Sequence, residues 1–292
     1  MKVTGIGGGH GLSTTLRAAR RYATEVNAVV SVADDGGSSG RLTRELGIPP
    51  PGDIRNCLVA LSDSATTGLW QHRFGNGALS GHTVGNLVIA ALTEMKGDFA
   101  AAVGDAGLLF GASGRVYPAT NELVTLRAEV DGGVVRGQAA VAETQARIRA
   151  VHLEPSDPPA LAGAVEAIVS ADQIVLGPGS LFTSLVAALL VPGIRDALAG
   201  AKGRRVYVCN ARMQSGETQG LDATEHAEAL LAHAGRDSID TIIVQSPRHD
   251  DDGVAVDRRA LERLGLEVVE ADVATPRGGH DADRLGSVLS SL

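Results

Sequence analysis

The feature that most constrains this chain is a glycine-rich segment beside its N-terminus. Val3–Leu16 reads VTGIGGGHGLSTTL, so a short apolar run leads directly into five glycines and then into a helical pattern. Glycine has no Cβ and takes positive φ, so such a loop can bring its N–H groups close to an anion. A helix that follows directs its unpaired N–H groups and the positive end of its dipole at the same point. The segment predicts a phosphate-binding loop formed by Gly7, Gly8, Gly9, Gly11 and Leu12, near which we expect the helix to begin.

The loop and the next apolar run together favour a nucleotide site. The loop reads GxGGGxG, a variant of the dinucleotide-binding GxGxxG, and it lacks the GKS/T of a Walker A loop. Val26–Val32 is followed by an acidic turn roughly 20 residues after the loop, where such folds bind a ribose hydroxyl. A carboxylate beside phosphates also suits Mg²⁺, for which either Asp34 or Asp35 is the candidate. The candidate ligands in this turn are Asp34, Asp35, Gly36, Ser38 and Ser39. A tight structural turn and a solvated acidic turn are the alternatives.

Strand-length apolar runs alternate with helical patterns in both halves of the chain, which predicts a doubly wound, mainly parallel α/β sheet. The predicted strands are Val3–Ile6, Val26–Val32, Gln173–Leu176, Val206–Cys209, Thr241–Val244 and Glu267–Glu270. The predicted helices are Leu12–Ala23, Leu87–Thr93, Thr224–Ala234 and Arg258–Leu264. We expect residues 1–292 to form a single domain.

The middle of the chain departs from this alternation. Leu123–Val130 and Val134–Ala142 alternate apolar and polar residues around Asp131-Gly132-Gly133, which predicts an antiparallel β-hairpin inserted around residues 115–150. The α/β order resumes at Asp157-Pro158, where we expect a helix with Asp157 as its N-cap and Pro158 in its first turn.

Further polar clusters follow predicted strands or open predicted helices. Because the carboxyl ends of parallel strands meet at one edge of a sheet, we expect these clusters to converge on one crevice. Gly177-Pro178-Gly179-Ser180 directly follows a strand and predicts a second anion nest. The candidate residues are Asp53, Asn56, Asn86, Gly177, Pro178, Gly179, Ser180 and Asn210. His72 and His82 are more typical of hydrogen-bonded structural histidines, and no nucleophile elbow or catalytic cysteine signature stands out.

Composition excludes some classes of partner. A formal net charge of −8 and 3 % aromatic residues argue against nucleic-acid binding. Cys57 and Cys209 lack metal-ligand spacing, so we expect free thiols in a reducing compartment. The N-terminus has no signal-peptide pattern, and the apolar run Leu181–Ile194 is too short for a membrane span. We expect a cytoplasmic protein without membrane insertion.

With these residues assembled, the chain resembles the gluconeogenesis factor family, which is related to 2-phospho-L-lactate transferase (CofD-like). The resemblance extends along essentially the whole chain. Its signature segments here are GIGGGHGLSTTLRA, SVADDGGSSGRLTRELGIPPPGDIRNCLVALS, HRF, GHTVGNLVIAAL, VYPAT, LEPSDPPAL, IVLGPGSLFTSL and QSGET.

The resemblance implies a Rossmann-like three-layer αβα fold and a nucleotide-type ligand, either UDP-N-acetylglucosamine or NAD. It implies control of carbon flux, cell-wall precursor supply and cell shape, with regulatory protein partners and a homodimer as further expectations. By the same resemblance, the glycine loop holds phosphate, Asp34 and Asp35 hold a ribose or a metal, and Asn56, Asn86 and Asn210 complete the pocket.

Two segments near the C-terminus depart from the family pattern. The family places a tyrosine and an arginine on the sugar nucleotide, where this chain has His249 and Gly279. His249 can still stack on the ligand, whereas Gly279 carries no charge. Either Arg248 or Arg277 substitutes for the missing arginine, or affinity for the diphosphate is reduced.

Three functions remain open at this point. The first is a non-enzymatic nucleotide-sugar sensor, because the chain has binding elements without an evident nucleophile or acid/base pair. The second is a transferase of a phosphoryl-linked group with Mg²⁺ on Asp34 or Asp35, since phosphoryl chemistry needs mainly positioning and charge neutralisation. The third is an NAD-dependent oxidoreductase with His72 or His82 as proton donor.

Overall fold

The structure, a computed structural model, describes all residues from Met1 to Leu292. Its strands are β1 (Lys2–Gly7), β2 (Glu25–Val30), β3 (Arg115–Pro118), β4 (Thr125–Val130), β5 (Gly133–Arg136), β6 (Ile148–Glu154), β7 (Gln173–Leu176), β8 (Arg204–Val208), β9 (Thr241–Gln245) and β10 (Glu267–Ala271). Its helices are α1 (Gly9–Ala19), α2 (Gly37–Leu46), α3 (Gly52–Ala60), α4 (Thr67–Gln71), α5 (Val84–Lys96), α6 (Phe99–Phe110), α7 (Gln138–Glu143), α8 (Ala162–Val169), α9 (Ala187–Leu189), α10 (Pro192–Gly200), α11 (Ala223–Ala234), α12 (Arg258–Arg263) and α13 (Ala282–Ser290). A π-helical segment, Leu181–Val186, precedes α9, and a 3₁₀ turn, Arg236–Ser238, follows α11.

Seven strands form one parallel sheet in the order β10-β9-β8-β7-β1-β2-β3. The strand order reverses at β1, which pairs with β2 on one side and β7 on the other. A hydrophobic core lies on each face of the sheet. In β7, the side chains of Ile174 and Leu176 pack in one core and that of Val175 packs in the other. Burial on both faces explains why these strands read as continuous apolar runs. The predicted α/β fold with a mainly parallel sheet is confirmed.

The predicted insertion is a three-stranded antiparallel sheet in the order β5-β4-β6, larger than the hairpin that the sequence indicated. The second strand of the predicted hairpin corresponds to β5, which ends at Arg136. The prediction that this strand extends to Ala142 is therefore wrong. Gly137 has a φ of +98°, which ends the strand, and α7 begins at the next residue.

The predicted helix start at Asp157-Pro158 is also wrong, because α8 begins at Ala162. Residues before it are held in an extended pairing instead. Ala160 forms a β-bridge with Thr120, and the Leu161 N–H donates to the Ala119 carbonyl at 3.1 Å. This pairing at the end of β3 delays the helix by one turn.

No single helix is long and apolar enough to cross a membrane. Leu181–Leu189 and Pro192–Gly200 together have the length and composition of a span, but they are bent by 78° relative to one another. Much of this pair is buried inside the fold, including Leu185 and Ile194.

Candidate functional site

A polar cavity of about 330 Å³ opens where the sheet order reverses, at the carboxyl ends of β1, β2 and β7. Open α/β sheets bind ligands at this position. None of the residues that line the cavity is hydrophobic. They are Gly8, Gly9, His10, Gly11, Ser31, Asp34, Asp53, Gln138, Gly179, Ser180, Thr183, Ser184 and Gln214.

The N-terminus of α1 faces this cavity. Gly8 is the N-cap residue of α1 and makes no side-chain hydrogen bond to the N–H groups of the first turn. No Asp or Glu of α1 lies in that turn. The first N–H groups of an α-helix have no partner within the helix, and here the Asp53 carboxylate lies beside them and accepts a hydrogen bond from the Gly9 N–H. An anion that binds at this helix end would therefore lie next to Asp53. The predicted glycine loop therefore lies at the start of α1, where Gly8, Gly9 and Gly11 line the cavity.

Glycine is required at two positions of this loop for different reasons. Gly9 has a φ of +62°, which other residues rarely adopt. At Gly11, a Cβ would overlap the carbonyl group of Pro178, so only glycine lets the two loops approach each other. Leu12 is fully buried in the core beneath α1, and its side chain does not line the cavity. Gly7 ends β1 beside Gly177.

Asp34 and Asp53 are the two acids that the structure brings to the glycine loop. Burial and the negative charge of Asp34 raise the pKa of Asp53 from its ordinary 3.8 to about 6, although a hydrogen bond from the Gly9 N–H and the charge of Arg55 oppose the change. Burial also raises the pKa of Asp34, although hydrogen bonds from Gly36 and Ser39 oppose the change. A proton or a cation at this pair would relieve both the burial of charge and the mutual repulsion.

Asp35 points away from its neighbour and toward the insertion. Its Oδ1 accepts a hydrogen bond from the Ala139 N–H at 2.8 Å, in the first turn of α7. Asp34 and Asp35 therefore do not act as a pair, and no group of three or more His, Cys, Asp or Glu side chains converges as a metal site. A divalent cation here would need oxygen ligands from the bound molecule in addition to Asp34 and Asp53.

The predicted nest at Gly177–Ser180 has most of its N–H groups already engaged. The Gly177 N–H donates to the Ile6 carbonyl at 3.0 Å, and Pro178 has no N–H. The Gly179 N–H donates to Asn210 Oδ1 at 3.0 Å. This loop offers a ligand the side chain of Ser180 rather than a nest of N–H groups.

An internal carboxylate occupies the helix start that follows this loop. Glu217 is 5 % exposed, and its Oε1 accepts a hydrogen bond from the Thr183 N–H at 2.6 Å. Burial raises the pKa of Glu217, while hydrogen bonds from the first turn of the π-helical segment oppose that rise. The start of α1 differs in that its neighbouring carboxylate, Asp53, lines the cavity itself, where a proton or a cation can neutralise it.

Three predicted ligands lie in a buried network behind the cavity. The Arg55 guanidinium donates to Asn56 Oδ1 at 2.7 Å, to Asn86 Oδ1 at 2.8 Å and to Thr83 Oγ1 at 2.5 Å. The Asn86 amide donates in turn to Ser38 Oγ at 3.0 Å. Asn56, Asn86 and Ser38 do not line the cavity, so they hold α2, α3 and α5 together beneath it.

Gly36 and Ser39 also support the site from outside it. The Gly36 N–H donates to Asp34 Oδ1 at 2.9 Å, and Ser39 Oγ accepts from the Gly52 N–H at 3.1 Å. The first contact fixes the Asp34 carboxylate, and the second fixes the start of α3, the helix that carries Asp53.

A second cavity of about 270 Å³ lies on the other side of the two loops. Asn210, a predicted ligand, and Gly279, where the family has an arginine, both line it. Burial lowers the pKa of His280 there to about 4, so its imidazole is neutral, with Nε2 3.2 Å from the Cys209 carbonyl oxygen.

His249, a predicted ligand, lines neither of these two cavities; its Nε2 lies 3.3 Å from Asp272 Oδ1. The structure does not bring His249 together with the glycine loop.

Sequence reasoning missed six residues of the first cavity. Five of them lie in the signature segments named above but were not identified as ligands: His10, Ser31, Thr183, Ser184 and Gln214. Gln138 comes from the insertion, and nothing in its local sequence marks it as a site residue. The six are His10, Ser31, Gln138, Thr183, Ser184 and Gln214.

A parallel sheet whose order reverses beside a glycine-rich helix start defines a Rossmann-like α/β protein. Comparison with known proteins specifies the family: the chain belongs to the 2-phospho-L-lactate transferase CofD family, which it matches over residues 3–274. The gluconeogenesis factor of Bacillus subtilis (strain 168) is 42 % identical over 309 residues, covering 100 % of this chain and 98 % of that protein. The gluconeogenesis factor of Halalkalibacterium halodurans is 43 % identical over 278 residues, covering 90 % and 86 %.

A solved structure shares the fold. A member of the UPF0052 family from Bacillus halodurans superimposes with a TM-score of 0.95 at 40 % identity, and the match covers 99 % of this chain and 98 % of the other. The resemblance to the gluconeogenesis factor family and the α/β fold expected from it are confirmed.

Proposed function

We propose that this protein is a gluconeogenesis factor that acts as a ligand-binding regulator and takes a nucleoside-diphosphate sugar, UDP-N-acetylglucosamine. The observation that carries the proposal is the glycine-rich N-terminus of α1 at Gly8–Gly11, which opens into a cavity lined by no hydrophobic residue. Backbone N–H groups and a helix dipole favour a phosphate there. A cavity with hydroxyl, amide and carboxylate lining suits the hydroxyl-rich sugar that the phosphate carries.

The two cavities suggest how such a ligand lies. Both are lined by His10, Gly11, Gly179 and Gln214, so the diphosphate would cross between them over α1. The second cavity adds apolar contacts from Pro178, Ala211 and Met213, which fit a nucleoside better than a sugar. We therefore assign the sugar to the first cavity and the nucleoside to the second.

A regulatory role agrees with the low reactivity of the two thiols. Both cysteines are buried and free, and burial raises the pKa of the Cys209 thiol to about 12. Neither thiol is a nucleophile at neutral pH. The role proposed is control of carbon flux, cell-wall precursor supply and cell shape in the cytoplasm, exerted on regulatory partners by the liganded protein. The chain acts as one domain in this proposal, because Gln138 of the insertion lines the same cavity as the glycine loop.

A divalent cation fits beside the diphosphate. Asp34 and Asp53 would hold it together with phosphate oxygens, and it would neutralise charge on the ligand. The carboxylate pair is therefore Asp34 with Asp53, since Asp35 is engaged by α7.

One observation favours a second function, transfer of a phosphoryl-linked group. The Asp53 carboxyl, whose pKa is about 6, lies at the anion site and exchanges a proton near neutral pH. Membership of the CofD family agrees with this alternative. An NAD-dependent oxidoreductase has less support, because neither His72 nor His82 lines the cavities and Nδ1 of His82 lies 3.0 Å from Ser38 Oγ.

Thermal denaturation with a ligand panel tests the proposal. UDP-N-acetylglucosamine should raise the melting temperature by mass action, because it binds the native state only. It should also be recovered unchanged after long incubation with Mg²⁺. Turnover of the sugar nucleotide would favour the transferase, and stabilisation by NAD alone would favour the oxidoreductase.

A further inference from the structure

Gln138 is the only residue of the insertion that lines the first cavity. It is the first residue of α7, and no hydrogen bond within the protein engages its carboxamide, in contrast to the carboxamide of Gln214. Gln214 accepts from Asn210 at 3.2 Å and donates to Ser180 Oγ at 3.3 Å. Gln138 thus presents a free donor and a free acceptor to whatever fills the cavity.

Helix α7 is held at both ends by loops that belong to the site. At its start, Asp35 accepts the Ala139 N–H, and Gly137 packs so closely on the same carboxylate that a Cβ would overlap it. At its end, Gly216 packs against the carbonyl oxygen of Ala142 with no room for a side chain. The position of Gln138 relative to the cavity is therefore fixed by the turn after β2 and by the loop after β8.

We propose that Gln138 is a specificity-determining residue that contacts the group beyond the diphosphate, through the hydroxyls or the amide of the sugar. Asp35 is then a positioning residue that holds α7 in place. A neutral carboxamide gives a phosphate no charge but pairs well with a hydroxyl or an amide. Gln138 also lies outside the second cavity, which we assign to the nucleoside. This inference rests on the proposed function.

Calorimetric titration with two probes, UDP and UDP-N-acetylglucosamine, tests the role of Gln138. Gln138→Ala should weaken binding of the sugar nucleotide about tenfold, the usual order for one lost hydrogen bond to a buried partner, and leave UDP unchanged. Gln145→Ala is the matched control, because Gln145 is exposed in the same insertion and lines neither cavity. It should bind both probes as the wild type does.

Two variants of Asp35 test its positioning role with the same probes. Asp35→Ala removes the acceptor of the Ala139 N–H and should lower affinity for the sugar nucleotide while leaving UDP binding intact. Asp35→Asn keeps a side-chain oxygen for that N–H and should restore most of the affinity. A metal ligand would behave differently, since Asp35→Asn would then weaken both probes and remove any response to a chelator.

The outcomes separate this inference from the proposed function. Equal losses for UDP and the sugar nucleotide in Gln138→Ala, or no loss for either, would overturn the inference while the proposed function stands. A wild-type protein that binds neither probe would overturn the proposed function, and the role of Gln138 with it.

Discussion

The side chain of Asn210 holds the backbone of Gly179 by both of its polar groups. Its Oδ1 accepts from the Gly179 N–H at 3.0 Å, and its Nδ2 donates to the Gly179 carbonyl at 2.8 Å. Gly179 has a φ of +138° and lines both cavities. One amide therefore fixes the loop that separates the two halves of the proposed ligand site.

Removal of this amide should destabilise the protein. Asn210→Ala breaks both hydrogen bonds to Gly179 and the one to Gln214 at a position that is 9 % exposed, and we expect a loss of about 1–3 kcal/mol in the free energy of unfolding. Urea denaturation measures it as a lower midpoint at unchanged slope. Asn76→Ala, at an exposed position, is the control and should have no effect. An unchanged midpoint in Asn210→Ala would mean that the amide contributes nothing to the loop.

Alanine variants of two glycines with similar backbone geometry separate the conformational cost of a side chain from its effect on ligand binding. Gly9 and Gly47 have φ of +62° and +66°, and a Cβ at either position meets no close neighbour. Alanine should therefore cost each a similar 1–2 kcal/mol or so in stability. Only Gly9→Ala places a methyl group at the anion site, so only it should weaken UDP-N-acetylglucosamine binding, measured by calorimetry. Equal affinities in the two variants would remove the phosphate-loop assignment.

Asp53 should make stability depend on pH in a definite direction. Its pKa is raised to about 6 in the folded protein, so the folded state binds the proton more tightly than the unfolded state. The resulting stabilisation is complete below the ordinary pKa of 3.8 and is lost as the pH rises through about 6. Asp53→Asn should weaken this dependence, with the raised pKa of Asp34 leaving a remainder, and should stabilise the protein at pH 8 relative to wild type by on the order of 3 kcal/mol.

Asp157→Asn provides the comparison for that experiment. Asp157 is exposed, so its amide variant should follow the wild-type stability profile between pH 4 and pH 8. If Asp53→Asn also followed the wild-type profile, the pKa of the Asp53 carboxyl would not be raised in the folded protein.

Gly279 is a position where an arginine should strengthen binding. It is exposed and lines the second cavity, and a Cβ there meets only Thr275 Oγ1 at 3.9 Å. Gly279→Arg should bind UDP-N-acetylglucosamine roughly fivefold more tightly at low salt, with a steeper loss of affinity as salt is added. Gly200→Arg adds the same charge at an open position outside both cavities. A similar gain in both variants would reflect net charge rather than a contact with the diphosphate.

The sheet was predictable because its strands are buried on both faces. Gln173–Leu176 was predicted to the residue, since a short apolar run between turn signals has few alternatives. Edge strand β3 and strand β6 were not predicted, because β3 reads RVYP rather than a continuous apolar run and β6 depends on pairing with β4. The start of α8 was misplaced because long-range pairing at Ala160 overrode a local capping signal.

The site was less predictable than the fold. The glycine loop and Asp34 carry local signals, and the structure places them at the cavity. Asn56 and Asn86 carry similar polar signals but point into the network around Arg55, and sequence does not reveal which way a side chain points. Gln138 reaches the cavity only because the insertion folds back on the β2 turn.

On the proposed function, the diphosphate of a nucleotide sugar binds the N–H groups that open α1. Amide NMR shifts of the ¹⁵N-labelled protein during titration with UDP-N-acetylglucosamine test it most directly. We predict the largest changes at Gly8–Gly11, with the Gly179 N–H little changed because Asn210 already engages it. Saturable binding with unperturbed Gly8–Gly11 amides, or no binding at all, would contradict the account.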